Sequence, residues 1–485
     1  MGVKISSLGR SGRAFAVLFL AVWGLSACAL QEYEAQPLDP QRIITEFEAR
    51  HLDDPGLHAF MERHGSSAVL PGGKWGLSEL SLAAFYFNPR IAVARAEWKV
   101  QQAGEITAGQ YNNPNVDLDT EYHKDDGYGP LPAWALGITF DISLEFPGKR
   151  EARIDQAVAL SKVARLGIAE QGWQVRTSLR QRFVDLYEAI ATHRLTEAEL
   201  EILEANVALL EKHHKAGQAG RFETSAARLR RHQAKLALDE ALGNITTSRV
   251  ALAGALGLPL EIVDGMALDF AALGLRPPSS LNRTDLRQMA LFNRLDLRKG
   301  LAEYAVSEAA LRREIKNQYP DLILSPGYLW DQGDLVWNIG VAFLFPFLNV
   351  NEGPIAEARA SRELEAARFT ALQTDVLGEL SLARAGYAGV YRSLMTAESL
   401  LREQKEQVEN MDNQFTLGIV DRLSLDNARI ELIAVQRAYL NAQIKVYRAF
   451  GRLEDTIQKP LDESASLPDP TDEIMSDPAI LQDSK

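Results

Sequence analysis

Trp134-Ala135-Leu136-Gly137-Ile138-Thr139-Phe140-Asp141-Ile142-Ser143-Leu144-Glu145, followed by Phe146-Pro147-Gly148-Lys149-Arg150, decides the fold. Trp134, Leu136, Ile138, Phe140, Ile142 and Leu144 alternate with small or polar residues, a strand period with one apolar face. Beyond Pro147 the period changes. No proline occurs up to about Lys215, and glycine only at 148, 167 and 172. Roughly 65 residues rising about 1.5 Å each make a helix of about 100 Å, a coiled-coil length.

The same succession returns about 200 residues later. Asn113-Pro114-Asn115 answers to Tyr319-Pro320-Asp321, and Trp337, Ile339, Val341, Phe343 and Phe345 form a second apolar alternation before Leu344-Phe345-Pro346-Phe347. His213-His214-Lys215-Ala216-Gly217 answers to Gln414-Phe415-Thr416-Leu417-Gly418, and Ala227-Arg228 to Ala428-Arg429. Such self-similarity is the signature of an internal duplication. The first repeat, 76–281, is read as a helix (77–111), strands 115–123 and 133–146, a long helix 149–215 and a helix 222–256. The second, 282–453, has a helix (283–318), strands 321–330 and 335–346, a long helix 353–415 and a helix 421–453. Leu195, Ala198, Ile202, Ala205 and Leu209, and Leu432 through Leu453, follow the 3-4 spacing of a coiled-coil seam. Gly217 and Gly418 fit left-handed caps at two hairpin tips.

The fold class is mostly α with a small β part. Aromatic strand ends and a polar second face match a transmembrane barrel strand, with Asp141, Ser143 and Glu145 facing the lumen and keeping it wet. Four strands cannot close a barrel, and open edges do not persist in hydrocarbon. Other copies must complete it: a trimer gives twelve strands and a wet lumen, a dimer eight and a filled one.

The N-terminus reads as an export signal, residues 1–27, with Lys4, Arg10 and Arg13 before an apolar run from Ala14 to Leu25. Leu25-Ser26-Ala27-Cys28 resembles a bacterial lipobox, which implies a mature start at Cys28 carrying lipid. Ala29 leans toward the outer membrane. Residues 28–75 are expected to form a periplasmic extension, its His51, His58 and His64 part of a surface wrap. Residues 454–485 read as a polar, acidic tail. Removing 1–27 takes the net charge from −13 to −16, which argues against nucleic acid as a partner, since neutralising phosphates needs clustered Lys and Arg. Beyond the leader, no run of 18 apolar residues suggests a spanning helix.

These motifs together resemble the TolC-like outer-membrane efflux factor family. Phe146-Pro147-Gly148-Lys149-Arg150 and the stretch Pro346 to Gly353 match its return motif, and Gly418-Ile419-Val420-Asp421-Arg422-Leu423-Ser424-Leu425-Asp426-Asn427-Ala428 its tip signature. The resemblance implies a homotrimer with a twelve-strand outer-membrane β-barrel and a periplasmic α-barrel of coiled-coil hairpins. It implies a periplasmic adaptor, an inner-membrane pump and outer-membrane lipid as partners, with no catalytic site and no cofactor. The Pro-Gly-Lys-Arg return is similar to the heavy-metal branch.

Several relatives ring the closed mouth with acidic residues six and nine positions after the second tip glycine. Here those positions are Ser424 and Asn427, and the six-after position of the first tip is Glu223. A carboxylate constriction then comes from Glu223, from Asp421, or is absent. Asp421 also suits a helix cap. His213-His214 reads as an adaptor contact rather than a metal site, since neighbouring helical residues point about 100° apart. Lys149 and Arg150, in a helix's first turn, have anionic groups near the membrane surface as candidate partners. The competing function is a non-conducting coiled-coil structural lipoprotein. No nucleophile–base pair, metal-ligand spacing or phosphate loop supports an enzyme.

Overall fold

The computed structural model describes residues 31–64, 73–124, 133–331 and 333–461. Cys28, its leader and most of the expected tail lie outside them. Residues up to Ala49 form one unit and Arg50 onward another. In the first, α1 (Pro40–Glu48) begins at Asp39, whose carboxylate accepts from the Gln41 and Arg42 amides, and buries no side chain.

The second unit opens with α2 (Pro55–Arg63), capped by Asp54, whose Leu57, Phe60 and Met61 are buried. His58 Nε2 meets the Leu52 carbonyl at 3.0 Å, and the His64 ring packs on Phe60 at 4.4 Å. A two-residue strand β1 (Lys74–Trp75) leads into α3 (Leu77–Phe87) and α4 (Pro89–Gly109). The sequence suggested one helix over 77–111. It breaks at Asn88, because the residue before proline avoids the α conformation. Pro89 then starts the next helix, and the Asn88 side chain accepts from the Arg90 amide.

Strands β2 (Asn115–Tyr122) and β3 (Trp134–Leu144) follow, then α5 (Lys149–Lys215), α6 (Arg221–Leu256), the short α7 (Leu260–Asp264) and β4 (Ala267–Leu268), which pairs in parallel with β1. The second half has α8 (Arg283–Asn293), α9 (Leu295–Lys316), β5 (Leu322–Asp331), β6 (Asp334–Phe343), α10 (Glu352–Thr416) and α11 (Arg422–Ile457). The helix expected over 283–318 also breaks, at Arg294. Its guanidinium is buried and held by Asp296 at 2.6 Å and Glu379 at 2.7 Å.

The four longer strands make one antiparallel sheet in the order β2-β3-β5-β6. Each long helix leaves the sheet through a left-handed N-cap, Gly148 (φ 92°) before α5 and Asn351 (φ 63°) before α10. Helix α5 packs on α6, α10 on α11, and α11 also runs along α5. Accordingly α11 buries two stripes. Ala442, Val446, Ala449 and Leu453 belong to the core shared with α10, while Leu440 and Ile444 meet Val184 of α5. Near the first tip the seam differs from the expected one: Thr196, Leu203, Asn206 and Val207 are buried, whereas Ala205 is exposed.

The last helix runs four residues past the expected boundary at 453, because Glu454 is not a tail residue. Its carboxylate sits between Arg180 at 2.8 Å and Arg176 at 3.4 Å, and all three side chains are at least 93% shielded from solvent. Asp455 takes the other Arg180 nitrogen at 2.6 Å. Gly451 makes the approach possible, since a Cβ there would lie 2.5 Å from the Arg180 Nε. Burial pulls the Arg176 guanidinium below the usual arginine value, Glu454 opposes it and the charge of Arg180 adds to it.

Removing one partner of a buried ion pair leaves the other uncompensated. Glu454→Ala is expected to lower unfolding stability by about 3–5 kcal/mol, read from the urea midpoint, and Asp455→Ala by much less. Equal midpoints for the two variants would contradict this account of the clasp.

Candidate functional site

The strand register fixes two faces. On one, Tyr122 opposes Trp134, Leu118 opposes Ile138, Tyr328 opposes Trp337 and Leu322 opposes Phe343. Trp134, Leu136, Phe140, Trp337, Ile339, Val341 and Phe343 are exposed there. The other face is short and polar. Asp117 opposes Thr139, Asp119 opposes Gly137, Glu121 opposes Ala135, and Asp331 opposes both Ala135 and Asp334. Asp141 and Ser143 share this face, and Asp141 accepts from the Ser325 hydroxyl at 2.5 Å.

Glu145, expected beside them, is not a strand residue. The strand ends at Leu144, because the following Pro147 and the left-handed Gly148 turn the chain into α5. The Glu145 carboxylate pairs with Arg153 at 2.5 Å. Sequence reading missed Asp117, Asp119 and Glu121. The alternation in Val116-Asp117-Leu118-Asp119-Thr120-Glu121-Tyr122 was the available signal. At the end of this face His123 Nε2 lies 3.5 Å from Asp331 and 3.8 Å from Glu121.

Below the sheet the two halves are tied at their helix–strand junctions. Phe146 stacks on Tyr319 with ring centres 4.5 Å apart. Asp321 accepts from the Phe146 amide at 2.9 Å and from Lys149 Nζ at 2.8 Å. Arg150 donates to the Gly109 carbonyl at 2.7 Å and lies over the Tyr111 ring. Lys149 and Arg150 therefore find their partners inside the chain.

Both hairpin tips close with the same hydrogen bonds. Gly217 donates to His214 and Gln218 to His213; Gly418 donates to Phe415 and Ile419 to Gln414. Both glycines have positive φ, 74° and 72°, which the reverse turn at the helix C-terminus requires. Each Ala-Arg arginine then reaches back seventeen residues across its own hairpin, Arg228 to Glu211 and Arg429 to Asp412, both at 2.8 Å.

The candidate gate carboxylates are engaged by backbone. Glu223 accepts from the Gly220 amide at 3.2 Å, and Asp421 caps α11 by accepting from the Ser424 amide at 2.7 Å. Hydrogen bonding to Ser424, through its hydroxyl first and its amide second, with a smaller contribution from His213, holds the Asp421 carboxyl below its ordinary value. Both carboxylates remain exposed. Asn427 is also exposed and lines a groove of about 620 Å³ beside Glu199 and Arg437. Arg437 bonds Glu199 at 2.5 Å, joining the second hairpin to the first, and Arg448 repeats this with Asp185 and Glu188. Asp426 is fully buried and bridged by Arg422 at 2.9 Å and Arg429 at 3.6 Å.

Among the described residues, no group of three His, Cys, Asp or Glu is placed to hold a metal ion, and no helix is long and apolar enough to cross a membrane.

The family description "Outer membrane efflux protein" matches residues 84–258 and 286–457, most of the chain. The cobalt-zinc-cadmium resistance protein CzcC of Cupriavidus metallidurans is 23% identical over 373 residues, which cover 76% of this chain and 86% of CzcC. The outer membrane protein VceC of Vibrio cholerae has a similar fold, with a TM-score of 0.63 at 19% identity over 80% of this chain and 97% of VceC. The channel-forming CusC gives 0.63 at 14% identity, over 79% of this chain and 91% of CusC.

Asp421→Ala removes the α11 cap and is expected to cost about 1 kcal/mol, seen as faster amide exchange at Ser424. The folded carboxyl titrates below its unfolded value. The cap's contribution is therefore complete above the usual carboxylate range and lost as pH falls through the folded value. Exchange at Ser424 unchanged by the substitution or by acid would refute the cap.

Proposed function

The chain belongs to the outer membrane efflux protein family, and on that premise we propose that three copies form a passive exit duct. One observation carries the reading. The sheet has four strands, and β2 and β6 each have a neighbour on one side only. The exposed apolar face suits lipid, yet unpaired strand edges are excluded from hydrocarbon. Joining β6 of one copy to β2 of the next removes every edge, and three copies make a twelve-strand barrel with a wet lumen. The face bearing Asp117, Asp119, Glu121, Asp141 and Ser143 then lines that lumen.

The helical hairpins continue the duct into the periplasm as an α-barrel. Their tips, with Gly217, Glu223, Gly418, Asp421, Ser424 and Asn427, meet a periplasmic adaptor coupled to an inner-membrane pump. Cys28 carries the lipid that adds a second attachment to the outer membrane. The two halves descend from an internal duplication, a reading supported by the two family-matched stretches and by the equal seventeen-residue spacing of the tip ion pairs. The relative named for cobalt, zinc and cadmium resistance supports heavy-metal cations as cargo, as does the row of carboxylates on the polar face. The duct itself performs no chemistry and needs no cofactor.

Crosslinking in outer-membrane fractions should yield a trimer, and the reconstituted protein should pass ions across planar bilayers once the tips are altered. Neutralising the acidic row (Asp117→Asn, Asp119→Asn, Glu121→Gln) should move the reversal potential in a salt gradient toward zero, because fixed lumen charge enriches counter-ions. A stable monomer with intact strands, or an unmoved reversal potential, would count against the barrel or its lining respectively.

A further inference from the structure

We propose that the acidic segment 469–477 of this chain docks into an arginine-rimmed groove between α8 and α10. The groove, of about 450 Å³, has an apolar floor that includes Leu286, Leu377 and Leu380. Arg283 and Arg287 rise beside it from one face of α8, four residues apart, and Arg384 from α10. All three are exposed, and none forms an ion pair with another described residue. In a chain of net charge −13, three converging guanidinium groups with no carboxylate partner among the described residues are a strong local excess of positive charge. Arginine forks suit carboxylates.

The chain supplies a complement. Residues 462–485 contain seven Asp or Glu and one cation, Lys485. Within them, Asp472-Glu473-Ile474-Met475 sets two carboxylates beside two large apolar side chains, the combination that a charged rim over an apolar floor accepts. The segment also starts in the right place. Leu461 packs on the core cluster that contains Leu286 and Leu380, and its amide is fixed by Glu454 at 2.8 Å. Asp469 lies eight positions after Leu461, and eight extended steps reach roughly 26 Å. Single exposed ion pairs contribute little. Tethering makes the contact intramolecular, with an effective concentration near the millimolar range, so several weak pairs and an apolar floor suffice.

A nitroxide at Ser476→Cys, in the full chain carrying Cys28→Ser, reads the segment directly in detergent solution. The expected spectrum is immobilised. Arg283→Glu with Arg287→Glu should convert it to a mobile one, and 1 M salt should do so in part. Adding Asp472→Lys and Glu473→Lys to the reversed background should restore immobilisation, which an unfolded variant could not do. A mobile parent spectrum, immobilisation that survives the arginine reversals, or failure of the charge swap overturns the proposal. So does immobilisation of labelled, arginine-reversed chains when they are co-assembled with excess unlabelled parent, because the segment then occupies another copy's groove.

Discussion

An antiparallel sheet of four strands leaves a row of unpaired N–H and C=O groups along β2 and another along β6. In water such edges are tolerable; in hydrocarbon each unpaired group costs several kcal/mol. The sheet carries an apolar face rich in tryptophan and branched residues, so burial in lipid is favourable for its surface and unfavourable for its edges. In the proposed assembly, pairing between copies reconciles the two. The other elements are arranged from this sheet: both long helices leave it through left-handed caps, and the junctions are tied by the Phe146–Tyr319 stack and by Asp321.

The helical part solves a different problem. A helix of 67 residues has far more surface than one partner can cover, and α5 receives α4, α6, α9 and α11 along its length. Shared packing of this kind specifies contact but leaves register loose, since alanine-rich stripes slide at small cost. Charged rungs supply register. Arg437 with Glu199, Arg448 with Asp185 and Glu188, and Arg176 and Arg180 with Glu454 and Asp455 connect α5 and α11 at three levels. The third rung is the buried one, and there the polarity reverses, with the arginines on α5.

Carboxylates near the tips serve the helices before they serve anything else. Glu223 and Asp421 satisfy amides that a helix N-terminus leaves without partners. Glu211 and Asp412 hold the two hairpins closed through their arginines. On the polar face of the sheet, by contrast, Asp117, Asp119 and Glu121 recur every second residue of β2 and cap no helix.

Much of this was legible in the chain of letters. Period-two alternation announced β3 and β6, proline-free runs announced α5 and α10, and Gly217 and Gly418 marked the tips, because each depends only on local geometry and side-chain spacing. Helix breaks at Asn88 and Arg294, the role of Glu454 and the pairing of Lys149 with Asp321 were not legible in the same way. Asn88-Pro89 was a local signal that the long apolar pattern obscured. The others join residues 85 to 278 positions apart. A carboxylate in an acidic stretch reads as solvated until folding brings two arginines onto it. Sequence by itself determined which segments become strand or helix; tertiary structure alone decided which charges are buried, since that depends on what the rest of the chain places opposite them.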